Sequence, residues 1–261
     1  MNDARDLGLC GKVAVALSLT MVGGFVDAVG YIALFEVFTA NMSGNSVHVG
    51  IYLAKLSWME LARPLCAIVS YVVGMALTRI AIGVAGRAGM RRIASFTLAA
   101  EAVLLAFFAH ATPKMHLGQI LDQHSLAYFS LVALLAFAMG VQTATLTHIG
   151  PLTVYTTFVT GTLTKLTESF TRVLFWFYDQ RRMMGMSRVG ARVWHQPDVQ
   201  EAAMLASTWI CYVIGATIGT VMKGKWELRA LYLPVGLLIA FVVLDLMRPI
   251  DVEEERHQTG A

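Results

Sequence analysis

The chain has 261 residues, of which 57% are hydrophobic and 14% charged, with a formal net charge of +3. A soluble globule with so little polar material could not cover its surface, so the composition excludes one and points to a membrane protein. The positive balance sits mostly on arginines at the ends of apolar runs, where a membrane surface accounts for it, and it implies no nucleic-acid partner.

A bilayer core about 30 Å thick needs roughly 20 apolar residues per helical span. Six stretches meet that length, at about 13–35, 63–86, 92–111, 126–148, 201–222 and 228–248. The first follows a short charged start, MNDARDLGLCGK. Its apolar run passes residue 30 and its small-residue stretch AVA lies at its beginning, so a retained span is predicted rather than a cleaved leader.

Behind the first span comes VFTANMSGN, residues 37–45, a polar stretch with no turn signal at its edges. It is predicted to break the helix and to lead into a short helix over about 42–57. A polar hinge, TPKMHLGQILDQHS over 112–125, follows the third span. After the fourth span come VYTTFVTGT at 154–162, a second short helix over about 158–177, and an insertion at 178–198. The aromatic and then basic residues over 172–194 fit a segment at the cytoplasmic interface, in contact with anionic lipid head groups.

The two polar stretches are copies. Laying Gly23 on Gly140 puts Ile32 on Ile149, Val37 on Val154, Thr39 on Thr156 and Gly44 on Gly161 without a gap, with Phe38 on Tyr155 and Ser43 on Thr160. Further on, Tyr71 falls on Tyr212, Gly74 on Gly215 and Gly83 on Gly224. The chain thus reads as one all-α integral membrane domain of two repeats, 13–111 and 126–248. Re-entrant short helices give six spans and inverted copies; spanning ones give eight spans and parallel copies. Lysine and arginine counts in the loops come out equal for both. Lys165, Glu168 and Arg172 lie within two helical turns, too polar for a lipid-facing span, which favours six.

Irregular backbone at membrane depth is tolerated only inside protein or against a wet cavity. Helix starts near Met42 and Phe158 would present free N–H groups to an anionic or partly negative solute. Thr39, Asn41, Ser43, Gly44, Asn45, Thr156, Thr157, Thr160, Gly161, Thr162 and Gln142 are the candidate substrate-binding residues. Small and hydroxyl residues also enrich ordinary helix contacts in membranes, which leaves a packing role open.

Asp27 in the first span, Glu101 in the third and His148 before the second motif are candidates for proton coupling. Each could equally serve as a structural hydrogen-bonding group. Arg79 could pair with Asp27 or Glu101, or extend towards the surface. Cys10, Cys66 and Cys211 are scattered, and the spacing of His110, His116 and His124 matches no compact ligand pattern, so neither a metal nor a cofactor is expected. No catalytic constellation appears, so an enzyme is not expected.

The blocks GFVDAVGYIALFEVFTANMSGN and GVQTATLTHIGPLTVYTTFVTGTLTKL resemble the two signature blocks of the YoaK-type family of bacterial inner-membrane proteins, over about Val13 to Leu246. In that family the first block reads as a glycine, an Asp-Ala pair, an apolar stretch and a Phe-Thr-Ala-Asn-Met-Thr-Gly-Asn run. Ser43 stands for the usual threonine and keeps its hydroxyl. Glu36 stands where the family more often has a small residue, and Thr143 where it often has an asparagine. The resemblance implies six spans and names no substrate.

The sequence therefore predicts a multi-pass protein of the cell (inner) membrane, a carrier of a small polar or anionic solute that uses both motifs. A channel, and a non-transporting scaffold or sensor, are the alternatives. Expected partners are membrane lipids and a small-molecule or ion substrate; a homodimer is compatible with the size.

Overall fold

The computed structural model describes residues 7–90, 92–116, 125–145, 148–149, 152–153, 159–184, 196–248 and 250. These form helices α1 (Leu9–Ala33), α2 (Met42–Ala54), α3 (Trp58–Arg87), α4 (Ile93–His116), α5 (Leu126–Thr145), α6 (Val159–Met184), α7 (Pro197–Trp226) and α8 (Tyr232–Met247). A 3-10 turn, Glu227–Leu231, joins α7 to α8. A two-rung antiparallel bridge sets His148 opposite Thr153 and Ile149 opposite Leu152.

The described chain is helical apart from that bridge and the connections between helices, and 5 of its helical stretches are long and apolar enough to cross a membrane, the last comprising α7, the 3-10 turn and α8. It is an all-α membrane protein. The six predicted spans correspond to α1, α3, α4, α5, α7 and α8, and α2 starts at Met42 as predicted.

Three predicted boundaries are corrected. The second short helix is a 26-residue amphipathic α6 that continues as far as Met184, into the predicted insertion, of which 185–195 lie outside the described residues. Helix α4 runs into the predicted hinge as far as His116, while 117–124 lie outside the described residues. Helix α3 begins at Trp58 and carries Pro64 inside it, where the sequence suggested a start near 63.

The turns explain why the first break carries no turn signal. Phe35 (φ 50°) and Glu36 (φ 67°) reverse the chain in the left-handed region without glycine, and the Glu36 N–H donates back to the Tyr31 carbonyl at 2.9 Å. Leu56 (φ 55°) and Glu227 (φ 51°) turn the chain in the same way.

Helix α1 lies along α7 and α3 along α5, while α4 sits between α5 and α8; α2 covers α3, and α6 covers α7. Glycines set the two long crossings. A Cβ on Gly24 would stand 2.1 Å from the Tyr212 carbonyl oxygen, and one on Gly215 2.0 Å from that of Met21. On the other pair, a Cβ on Gly140 would stand 2.2 Å from the Tyr71 oxygen, and one on Gly74 2.4 Å from that of Phe137.

Directions follow from the contacts. Gly215 meets Met21 and Gly219 meets Phe25, so α7 runs parallel to α1. The Tyr128 hydroxyl donates to the Leu34 carbonyl (2.8 Å) and Gln142 Nε2 donates to the Leu19 carbonyl, so α5 runs antiparallel to α1. These contacts equate Gly24 with Gly140, and therefore Asp27 with Thr143, one residue along from the alignment read in the sequence.

At one end of the bundle, Asp245 of α8 accepts from the Ser95 N–H (2.9 Å), the Ser95 hydroxyl and the Ile250 N–H (2.6 Å). A buried carboxylate thus satisfies the start of α4 and the chain end beyond α8, with α8 antiparallel to α4. Asp245→Ala is expected to cost about 3 kcal/mol by orphaning those buried donors. Thermal unfolding in detergent measures it, and an unchanged midpoint would remove Asp245 from the framework.

Candidate functional site

The site is built where α1 gives way to α2. After the reversal at Phe35 and Glu36 the chain is irregular over 37–40 and folds back onto α1, so the Thr39 and Ala40 amides face Asp27. Asp27 Oδ1 accepts from the Thr39 N–H (2.8 Å), the Ala40 N–H (2.7 Å) and the Thr39 hydroxyl (3.3 Å). Oδ2 accepts from the Tyr212 hydroxyl of α7 at 2.7 Å. Gly30 makes room for this fold-back, since a Cβ there would stand 2.6 Å from Thr39 Cγ2.

Asn45, fully buried in α2, pairs with the same strand of backbone: Nδ2 donates to the Phe38 carbonyl (2.7 Å), and the Phe38 N–H donates to Oδ1 (3.0 Å). Asn41 caps α2, its Oδ1 accepting from the Ser43 hydroxyl (2.7 Å) and the Gly44 N–H (3.3 Å). The Phe38 ring covers Gly44 and lies 4.4 Å from the Tyr31 ring centroid and 6.3 Å from that of His48.

The predicted residues therefore divide. Asp27, Thr39 and Asn45 are gathered and spent on holding the break. Ser43 is exposed and Asn41 half-buried at the start of α2, while Gly44 is half-buried beneath the Phe38 ring. In the second motif Thr160 is exposed, Gly161 half-buried and Thr162 buried, all in the first turn of α6. Thr156 and Thr157 lie outside the described residues, and His148 is described only as backbone of the bridge.

Gln142 is buried between α5 and α1, with Nε2 on the Leu19 carbonyl and Oε1 without a partner. Glu101 stands apart on α4, fully buried, and among the described residues neither of its carboxyl oxygens has a hydrogen-bond partner. Of the two alternatives for Arg79, pairing with an acid is not seen: its side chain is exposed and Asp27 takes its donors from Thr39, Ala40 and Tyr212, which leaves extension to the surface.

Two residues of the site were not foreseen. Tyr212 closes the Asp27 cluster, and at the equivalent place on the other crossing the Tyr71 hydroxyl donates to Thr143 Oγ1 at 2.9 Å. The signal was available, since self-alignment lays Tyr71 on Tyr212 in the middle of two spans.

An open groove of about 620 Å³ on α6 is lined by Thr164, Thr167, Glu168, Thr171 and Arg172. All five come from one helix face, and Arg172 is already held by Asp198 (2.7 Å) and Glu201 (2.7 Å), so the groove is the polar side of α6 and not the motif site. The bond to Asp198 holds the Arg172 proton more firmly than usual.

The sequence matches a family described as "Protein of unknown function (DUF1275)" over residues 15–244. It is also similar to the "UPF0700 transmembrane protein YoaK" of Bacillus subtilis (strain 168), with 25% identity over 230 residues covering 86% of this chain and 90% of that relative. No solved structure matches. With the match running through both polar motifs and all six long apolar helices, the chain belongs to the DUF1275 family and is a membrane protein.

Proposed function

We propose that the protein is a proton-coupled carrier of a small polar or anionic solute, built from two inverted repeats that cross the cell membrane six times. The carrying observation is the pair of equivalent crossings. Glycines bring α1 onto α7 and α5 onto α3, and beside each a tyrosine reaches a polar group, half-buried Tyr212 to Asp27 and buried Tyr71 to Thr143.

Helix direction supports the topology. Helix α5, the counterpart of α1, runs antiparallel to it, and α8 runs antiparallel to its counterpart α4. If α2 crossed the bilayer as well, α1 and α5 would enter it in the same direction. Six crossings with α2 and α6 lying beside them satisfy the geometry.

Two near-equivalent crossings of opposite orientation are what a carrier needs to expose one site to either side by rocking one pair against the other. Asn41 and Ser43 at the start of α2, with Thr160 and Gly161 at the start of α6, supply hydroxyls, amides and helix-start N–H groups for the solute. Thr39 and Asn45 hold that surface in place. Thr156, Thr157, Thr162, Gln142 and His148 complete the candidate set.

The purified chain in liposomes, given an inward proton gradient and a panel of labelled small organic anions and neutral polar solutes, should accumulate at least one of them saturably and uphill. Asn41→Ala should lower that uptake at least tenfold while costing only the roughly 1 kcal/mol of a lost helix cap. Flux that never saturates would indicate a channel. No flux above that of protein-free vesicles for any solute would favour the scaffold.

A further inference from the structure

We infer that Glu101, and not Asp27, is the carboxyl that takes up and releases the proton in this carrier, an assignment that rests on the transport reading above. The two acids have opposite surroundings. Both oxygens of Asp27 are engaged, by four donors from Thr39, Ala40 and Tyr212, so an added proton would have to displace one of them. Such a shell commits Asp27 to fixing the break.

Glu101 is as deeply buried and has no donor among the described residues. An ionised carboxyl without a partner at membrane depth is among the costliest arrangements a bilayer protein can hold, so Glu101 rests as the neutral acid. Its neighbours cannot compensate a charge. Helix α5 brings one titratable side chain, Tyr128, which donates to Leu34. Helix α8 brings Asp245, taken by Ser95 and Ile250, and an exposed Tyr232.

Glu227 and Arg229 of the 3-10 turn are exposed. On α3, Tyr71 donates to Thr143 and Cys66 to the Phe129 carbonyl, while Glu60, Arg63, Arg79 and Arg87 form no bond to Glu101. Among the described residues two other buried polar atoms lack a partner, Gln142 Oε1 on α5 and Arg63 Nε on α3.

The test is infrared difference spectroscopy on the full chain in liposomes as pH is stepped, in H2O and D2O. The expected result is a neutral-acid carbonyl band that exchanges in D2O, disappears on alkalinisation, is absent from Glu101→Gln and is displaced in Glu101→Asp. If Glu101→Gln does not fold, the displacement in Glu101→Asp makes the same assignment.

A band that persists in Glu101→Gln, a band that neither exchanges nor responds to pH, or no band at all overturns the inference. No solute is needed for this readout. Its failure therefore leaves solute flux standing, and absent flux with an intact band overturns only the carrier reading.

Discussion

Asp27→Ala is expected to lower stability by about 3–5 kcal/mol, read as a large fall in the thermal unfolding midpoint in detergent. The substitution leaves the Thr39 and Ala40 amides without an acceptor in a buried position, and it frees the Tyr212 hydroxyl of α7 at the same time. Each orphaned donor costs about 1–3 kcal/mol. Asp27→Asn should be milder, because an amide oxygen can still accept from both backbone N–H groups and the Tyr212 hydroxyl can rotate to accept from the new NH2. Tyr212→Phe removes one charge-assisted bond of the four and should cost about 1.5–3 kcal/mol. Equal midpoints for Asp27→Ala and the natural protein would mean that the break is held by something other than this carboxylate.

The second large effect concerns the crossings. Gly215→Ala and Gly24→Ala place a methyl 2.0 Å and 2.1 Å from backbone oxygens on the facing helix, distances that no rotamer change relieves. The helices must separate, and the loss should reach or pass the upper end of the roughly 1–3 kcal/mol typical of overpacking. Gly236→Ala is the matched control: its Cβ would meet nothing within 4 Å, and an alanine in a helix interior gains about 0.5–1 kcal/mol over glycine. Unfolding midpoints that ranked the three variants in any other order would show that these glycines do not set the helix distance.

How much of this is legible in the sequence depends on which force fixes each feature. Bilayer thickness dictates apolar run length, so the six long helices can be read off directly. The reversal at Phe35 and Glu36 cannot, because residues with side chains occupy a conformation usually signalled by glycine, held there by the Tyr31 carbonyl and the packing above it. The end of α6 is hidden because Asp179, Gln180, Arg181 and Arg182 look like the start of a polar insertion, whereas the helix runs on to Met184. Equating Gly23 with Gly140 matches identical residues, whereas the close backbone approach belongs to Gly24.

Asp27 is conspicuous in the sequence by its depth, and the amides it holds are only 12 and 13 residues away. Its role is not conspicuous, since Tyr212 is 185 residues distant and a single sequence gives no sign of that bond. Depth alone makes Asp27 and Glu101 look alike; the presence or absence of donors separates them.

The pairing of α1 with α7 and of α3 with α5 bears on how the chain comes to be assembled. Neither half contains a finished crossing: the first holds α1 and α3, the second their partners α7 and α5. Synthesis proceeds from the N-terminus, so α3 meets α5 midway through translation, whereas α1 waits in the bilayer for the last quarter of the polypeptide. Until then the carboxyl of Asp27 has only its own turn for company, and the membrane around the nascent chain must tolerate a helix that is not yet anchored. Each half is the template on which the other closes.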